Sequence, residues 1–416
     1  MIPPSAVYSA TYTVTNTNDS VTGSLRWAII QANNNSGLDT ILFNIPGPGP
    51  HTIQPLSALP TITEQVVIDG FSQSGASPNT NPMDQPCNAV LKIEIDGSLA
   101  GSGINGIRIA SVLSTIRGLV INRFSRVGVR LEYYGANHIE GCIIGLDPAG
   151  TTSRGNRDGV ELTYSSNGNT IGGTAPGMRN VISGNTRYGI QMVEGASINT
   201  VRGNFIGTDI TGMLDRGNIW AGVYMWTNSI LNTIGGSETG ARNVISGNDW
   251  YGVRIEGSGG ESVIRGNYIG TDRTGLNALG NMWDGIRLEH SDDNTIGGTD
   301  PGAGNVVSSN GWSGISLSGT GSTGNHILGN FIGTNATGAG ATLGNADNGV
   351  RIYEGASYNT VGGTVAGSRN VIAGNGYDGV RIDGREGGAT GNLIQGNFIG
   401  TDITGTTDLG NGDDGV

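Results

Sequence analysis

Four of the six tryptophans occupy one slot of a repeat: Trp220, Trp250, Trp283 and Trp312 each stand two residues ahead of a glycine that opens an apolar run, and Tyr377 holds the same slot further on. A column of rings at fixed spacing allows two kinds of chemistry. Exposed, it is an aromatic strip suited to the faces of sugar rings; covered, it is a stack that stiffens a corner of the fold. The stack is the expectation, with carbohydrate contact as the alternative.

Adjacent carboxylates are a second candidate. Asp292 and Asp293 lie beside Glu289 and His290, but glycoside hydrolysis needs two carboxyl groups held a definite distance apart across a cleft. Polar turns supply acid pairs without that geometry, so a solvated turn is expected and catalysis by Asp292 and Asp293 is the alternative. A third candidate is cation binding by Asp209, Asp272 and Asp402, which follow Gly-Thr in similar loops where Thr211 or Thr274 could add an oxygen. Each loop has a single carboxylate and Asn335 replaces it in one copy, so Asx turns are expected rather than calcium. No other cofactor is implied.

These residues are positioned by a repeat. Asn-Thr-Ile-Gly-Gly at Asn169 returns at Asn232 and Asn294, and with valine at Asn359; Ile-Gly-Thr-Asp at Ile206 returns at Ile269 and Ile399. A third element, glycine then valine or isoleucine, recurs from Gly159 to Gly379 at intervals of about 30 residues, each holding three short alternating runs. Three strands per turn of chain is one coil of a parallel β-helix. The expected fold is therefore all-β: a right-handed parallel β-helix of three-strand coils. Helical solenoids are excluded, because amphipathic helical periodicity is missing from the repeats.

In such a fold a residue type at one slot becomes a column along the axis. Asn137, Asn169, Asn199, Asn232, Asn294, Asn325, Asn359 and Asn392 open the second strand of successive coils, with Ser262 interrupting. Buried corner amides and carbonyls need partners, so this column is expected to be an internal hydrogen-bonded ladder. A companion column from Asn180 to Asn397 opens the third strand. Outward positions of the first strand pair Arg130 with Glu132, Arg254 with Glu256, Arg287 with Glu289 and Arg381 with Asp383, which reads as a solvated ion-pair lattice. The outward residues of the third strand, from Val181 to Phe398, are apolar and need a cover. The Gly-Thr-Asp loops that follow them are the expected one.

At the N-terminus only Ser24 to Asn33 has a helical pattern, with Leu25, Ala28, Ile29 and Ala32 on one face and Ser24 as cap. A short helix there would cover the edge of the first coil. Residues 1–104 are expected to form a capping region continuous with the β-helix, and residues 105–416 the regular coils. The last residues, Asp413 to Val416, open another first strand with no cap after it, an arrangement that invites self-association.

Composition narrows the partners. The formal net charge is −12, the 22 basic residues include one lysine, Lys92, and no basic run occurs, which excludes nucleic acid and anionic membranes as partners. Cys87 and Cys142 lack metal-ligand spacing and Cys142 falls in a strand slot, so neither zinc nor a disulfide is expected. No apolar run is long enough to span a bilayer, and Met1 to Ala10 has no signal-peptide pattern.

The segment Val14 to Ser20, then Gly23-Ser24-Leu25-Arg26 and Gln31-Ala32-Asn33, together with the repeated Asn-Thr-Ile-Gly-Gly, Asn-Val-Ile-Ser-Gly-Asn and Ile-Gly-Thr-Asp motifs, resembles the bacterial right-handed parallel β-helix proteins of the pectate-lyase-like superfamily. The resemblance implies the fold across nearly the whole chain. For function it allows lyases, hydrolases, epimerases, adhesins and passive stalks. Lyases of this kind use calcium-bound carboxylates with an Arg or Lys base, and pectin hydrolases show Asn-Thr-Asp and Gly-His-Gly motifs. Neither set assembles here, since His51, His138, His290 and His326 sit in unrelated contexts. The expectation is accordingly a secreted or surface-exposed rigid stalk, fibre segment or adhesive module without catalysis. The alternatives are a polysaccharide lyase or glycoside hydrolase, or a glycan-binding module.

Overall fold

The computed structural model describes residues 9–257, 260–339, 343–385 and 387–416. Its strands are mostly two to six residues long and pair in parallel into three sheets. Sheet A begins at Thr11–Val14 and ends at Leu393–Gln395; sheet B runs from His51–Ile53 to Phe398–Ile399; sheet C runs from Ile107–Ile109 to Val380–Ile382. In each regular coil the chain passes from C to A to B and back, so the first, second and third strands of the repeat become one strand of each sheet.

Register turns the sequence repeat into packing. On sheet A, Ile116, Ile139, Ile171, Val201, Ile234, Ile264, Ile296, Ile327 and Val361 lie side by side in successive strands. Equivalent columns on sheets B and C, such as Ile206, Ile245 and Ile269 or Val223, Val253 and Ile286, meet them in one continuous core. β-branched side chains fit this pleated, fully covered surface, which explains why the inward slots of sheets A and B are nearly all Ile or Val; sheet C also uses Leu and Met, as at Leu162, Met192, Met225 and Leu288. The glycine that opens each sheet C run is required by close approach. A Cβ added at Gly222 would lie 2.6 Å from Ile245 Cγ2 and 2.8 Å from the Gly252 carbonyl oxygen.

The corners are held by stacked amides. Asn169 Nδ2 donates to Asn199 Oδ1 at 2.9 Å and Asn199 Nδ2 to Asn232 Oδ1 at 3.2 Å; across the interruption the Asn232 amide donates to Ser262 Oγ at 3.2 Å. The companion ladder runs from Asn180 to Asn397 with the same geometry. A third ladder, absent from the sequence-based expectations, stands at the corner leading into sheet C: Asn156, Asn185, Asn218, Asn248, Asn281, Asn310, Asn345, Asn375 and Asn411. Its sequence signal is an asparagine three or four residues ahead of each opening glycine. Asn218 donates to Ile182 O at 3.2 Å and Asn248 Oδ1 at 2.9 Å, and accepts from the Asn185 amide and side chain at 3.1 and 2.9 Å. Asn218→Ala orphans these buried groups, and a loss of about 2–4 kcal/mol is expected. A urea melt with a change under about 0.5 kcal/mol would show the ladder to be dispensable.

Near the N-terminus helix α1, Leu25–Asn33, buries Leu25, Ala28, Ile29 and Ala32 in the main core, and Ser24 Oγ accepts from the Trp27 amide at 3.2 Å. The apolar stripe outside sheet B is covered, but not only by the Gly-Thr-Asp loops. Ile143, Val181, Phe205 and Val244 pack with Ile210 of one such loop and with Phe71, Met83, Cys87 and Leu91. The long excursion around 71–91 is thus a lid on the early coils rather than an irregular connection. Cys87 and Cys142 are both buried free thiols, and burial pushes the Cys142 thiol up to about 12. Among the described residues no helix is long and apolar enough to cross a membrane.

Candidate functional site

Outside sheet C, alternation puts every second residue on one continuous surface. The register aligns Gln191, Tyr224, Arg254, Arg287, Ser316 and Arg351 in one column, with Trp226, Glu256, Glu289, Ser318 and Tyr353 in the next. At the strand entrances stand Asp158, Tyr188, Tyr251 and Asp284. The centre of this face is built from tyrosines and two bridging arginines. Arg254 Nη2 contacts Glu256 at 3.0 Å and Glu289 at 2.8 Å, and its guanidinium lies 5.3 Å from the Tyr251 ring centroid. Arg287 reaches Glu289 at 3.3 Å and Asp284 at 3.4 Å, and donates to the Tyr353 hydroxyl at 2.6 Å. Tyr224 donates to Glu256 at 2.8 Å.

The electrostatics follow from partial burial. Burial raises the pKa of Tyr188, Tyr224 and Tyr353 and takes Tyr251 up to about 12. These phenols are therefore neutral proton donors near pH 7. Burial would also raise Glu289, but Arg287 and Arg254 hold it below its usual range. Asp284 is 1% exposed and is pushed up to about 6 by burial, against Arg287 and donors from the Ser313 amide at 3.0 Å and Ser316 Oγ at 2.9 Å. The lattice expected to be solvated is, at its N-terminal end, buried: Arg130 and Glu132 pair at 2.9 Å, with the Tyr164 ring 5.4 Å from the Arg130 guanidinium. Arg381 pairs with Asp378 at 3.0 Å rather than with Asp383, which its neighbour Arg385 takes instead.

The tryptophan column flanks this face. Successive centroids from Trp220 to Trp250, Trp283 and Trp312 lie 5.3, 4.9 and 5.0 Å apart, with rings within 6° of parallel. Neighbouring rings cover both faces of Trp250 and Trp283 and the Arg187 guanidinium lies over Trp220 at 4.4 Å, so the column offers edges to solvent and a free ring face only at Trp312, which is 45% exposed. Trp220 stands edge-on to Tyr188, and Trp283 edge-on to Tyr251, so column and tyrosine floor form one cluster. Tyr377 is exposed and has no ring contact with the column.

The other sequence candidates lie elsewhere. Asp292 and Asp293 are exposed side by side in the turn from sheet C to sheet A, with Asp293 at φ 51°. They do not face each other across a cleft. Asp209 accepts from Thr211 Oγ1 at 2.7 Å and the Leu214 amide at 3.2 Å; Asp272 accepts from Thr274 Oγ1 at 2.6 Å and Asn277 Nδ2 at 2.8 Å; Asp402 accepts from Thr404 Oγ1 at 2.7 Å and the Thr407 amide at 3.2 Å. Each carboxylate is the hub of its own turn. No group of three or more His, Cys, Asp or Glu that could hold a metal ion occurs among the described residues.

No family model matches the sequence, and no curated protein matches it. Solved structures do. The mannuronan C-5 epimerase AlgE6 A-module of Azotobacter vinelandii superposes with TM-score 0.48 at 14% identity, covering 92% of this chain and 99% of that chain. The periplasmic alginate epimerase AlgG gives 0.38 at 12% identity, over 86% and 77%. A mannuronic acid specific polysaccharide family 6 lyase from human gut microbiota gives 0.37 at 11% identity, over 93% and 83%. The expectation of a non-catalytic stalk or fibre segment is corrected by this set, whose names are those of enzymes acting on polysaccharides. A regular repeat is no sign of passivity, because it leaves sheet C free to vary its outward residues without disturbing the core. Three parallel sheets around one core, carrying the repeat motifs above, make the chain a right-handed parallel β-helix.

Proposed function

We propose that the protein is carbohydrate-active and holds an extended polysaccharide along the outward face of sheet C. The observation that carries this is the tyrosine and arginine strip from Tyr188 to Tyr353, flanked by the tryptophan column. Its strands repeat every ~4.8 Å, a step comparable to a sugar ring. Arg254, Arg287, Glu256, Asp284 and Glu289 nearly cancel in charge on a chain of net −12, so hydroxyl-rich chains are not repelled. Forked guanidinium groups and neutral phenols suit sugar hydroxyls and single carboxylates.

Of the reaction classes, β-elimination fits better than hydrolysis. Arg254 and Arg287 can neutralise a uronate carboxylate, a carboxylate of the same face such as Glu256 can take the proton from C5, and Tyr251 can protonate the leaving O4 as the C4–O4 bond breaks and the C4–C5 double bond forms. A glycosidase acid must instead hold a proton at working pH and reach the substrate; Glu289 is held ionised by its arginines, and Asp284, whose pKa is raised, is 1% exposed. A polysaccharide ligand also suits a secreted or surface-exposed location. The test is a panel of neutral and acidic polysaccharides in affinity gel electrophoresis, followed by ultraviolet detection of unsaturated uronate and a reducing-end assay. Retention with ultraviolet-absorbing product is expected; new reducing ends without that absorbance would reject elimination, and no retention by any polymer would reject the reading.

A further inference from the structure

The corner between sheets A and B carries a feature that the sheet C face does not use. Long corners at 173–179, 236–242 and 299–304 alternate with tight ones at Gly203 and Gly266. At Gly203, φ is +71° and an added Cβ would lie 2.0 Å from the Gly173 carbonyl oxygen; Gly266, at φ +68°, would meet Gly236 at 2.1 Å. Both positions exclude side chains, so the valley between long corners has a floor of bare backbone. Met83, Asp84, Arg179, Glu238 and Arg242 line this groove, whose volume is about 440 Å³.

One slot, immediately ahead of the asparagine that opens each sheet B strand, carries Arg179, Arg242, Gly304 and Arg369 in alternate coils. Each arginine lies over the aromatic ring of the following strand: Arg179 over Phe205 at 4.7 Å, Arg242 over Tyr268 at 3.9 Å and Arg369 over Phe398 at 4.0 Å. Two of the three have acceptors. Arg179 donates to Asn81 O at 3.0 Å and Gln85 O at 3.3 Å, and Arg369 to Gly396 O at 3.0 Å. Arg242 donates to none among the described residues, and its Nε is buried without a partner. The repeat supplies the internal comparison: the same stacked guanidinium takes oxygen acceptors at Arg179, which also lines the groove, and at Arg369, and is left open at Arg242.

We propose that this groove is a carboxylate-binding site for a uronate residue of an acidic polysaccharide, anchored by Arg242. The proposal rests on the polysaccharide reading above, at a separate place on the molecule. Tyr268 fixes the guanidinium plane, so its outward edge meets a planar carboxylate without losing much side-chain freedom. The other charged groups limit the ligand. Glu238 is held by Arg202 at 3.0 Å, Arg273 Nε donates to the Asp84 carbonyl at 3.1 Å, and the carboxylates of Asp84 and Glu238 oppose a dense polyanion. They can accept from sugar hydroxyls, and so can carbonyl groups along the glycine floor. A chain bearing one carboxylate per ring and several hydroxyls meets all of these conditions.

The test is a titration of trigalacturonate into the full chain by calorimetry, done in an Arg254→Ala background to remove the sheet C contribution. A saturable site that weakens with added salt is expected. Arg242→Ala should weaken it at least tenfold, Arg242→Lys less, and the carboxyl-reduced trisaccharide should not bind; thermal melts of each variant confirm folding. Equal affinity after Arg242→Ala, or equal binding of the reduced sugar, overturns the proposal, as does binding of an acidic peptide with no binding of trigalacturonate. Failure of the sheet C reading is seen separately, in polymer retention unchanged by Arg254→Ala.

Discussion

Arg254→Ala is expected to lower polysaccharide retention by at least tenfold while leaving circular dichroism unchanged. The side chain bridges Glu256 and Glu289 at 3.0 and 2.8 Å and lies between the Tyr224 and Tyr251 rings at 5.9 and 5.3 Å. A charge-assisted hydrogen bond to a bound sugar contributes roughly 1.5–3 kcal/mol, which corresponds to about a tenfold to 150-fold change in affinity. Removing it also leaves Glu256 facing the ligand without its cation, while Glu289 keeps Arg287 at 3.3 Å. The fold loses little, because partly exposed ion pairs add only about 0–1 kcal/mol to stability. Arg254→Lys keeps the charge but not the fork, and should fall between the two. Retention by the alanine variant equal to that of the parent would place the binding surface elsewhere.

A second large effect is expected in the pH dependence of stability, through Asp284. Its pKa, pushed up to about 6 by burial from an ordinary value of 3.8, lies above the unfolded value. The stability that this residue contributes is therefore fully present below pH 3.8 and is lost as pH rises through about 6. Two pKa units correspond to about 3 kcal/mol, with the opposing pull of Arg287 at 3.4 Å already included. Asp284→Asn retains an oxygen for the Ser313 amide and Ser316 Oγ and removes the titration. The variant should thus gain on the parent between about pH 4 and about pH 7.5 by roughly 1–3 kcal/mol, read from thermal melts at each pH. Arg287, Glu289, Tyr251 and Tyr353 surround the site, but neither the arginine nor the phenols change charge in that window. A difference between variant and parent that is the same at both pH values would show that Asp284 is ionised throughout without penalty.

How far the sequence reaches is clearest at the ladders. Asn169, Asn199 and Asn232 are legible as a buried column because an asparagine recurs at a fixed offset from a strand, and only a stack of amides satisfies such a corner. The ladder from Asn156 to Asn411 carries the same signal, masked by the more conspicuous glycine that follows it. Ser24 and the apolar face of Leu25, Ala28, Ile29 and Ala32 likewise locate helix α1, since capping and periodicity are local properties.

What the sequence by itself determined about this protein is the coil: its three strands, its inward columns and its corners, all set by interactions within one repeat or between adjacent repeats. Only the tertiary structure decided what the outward residues do. Stacking within the column leaves the tryptophans edge-on, because rings that recur every coil are brought to about 5 Å from one another. It decided that the 71–91 excursion covers sheet B, and that Arg179 is satisfied where Arg242 is not, because Asn81 and Gln85 reach one long corner and not the next. Contacts between segments far apart in the chain have no periodic signature, so they become visible only when the coils are stacked.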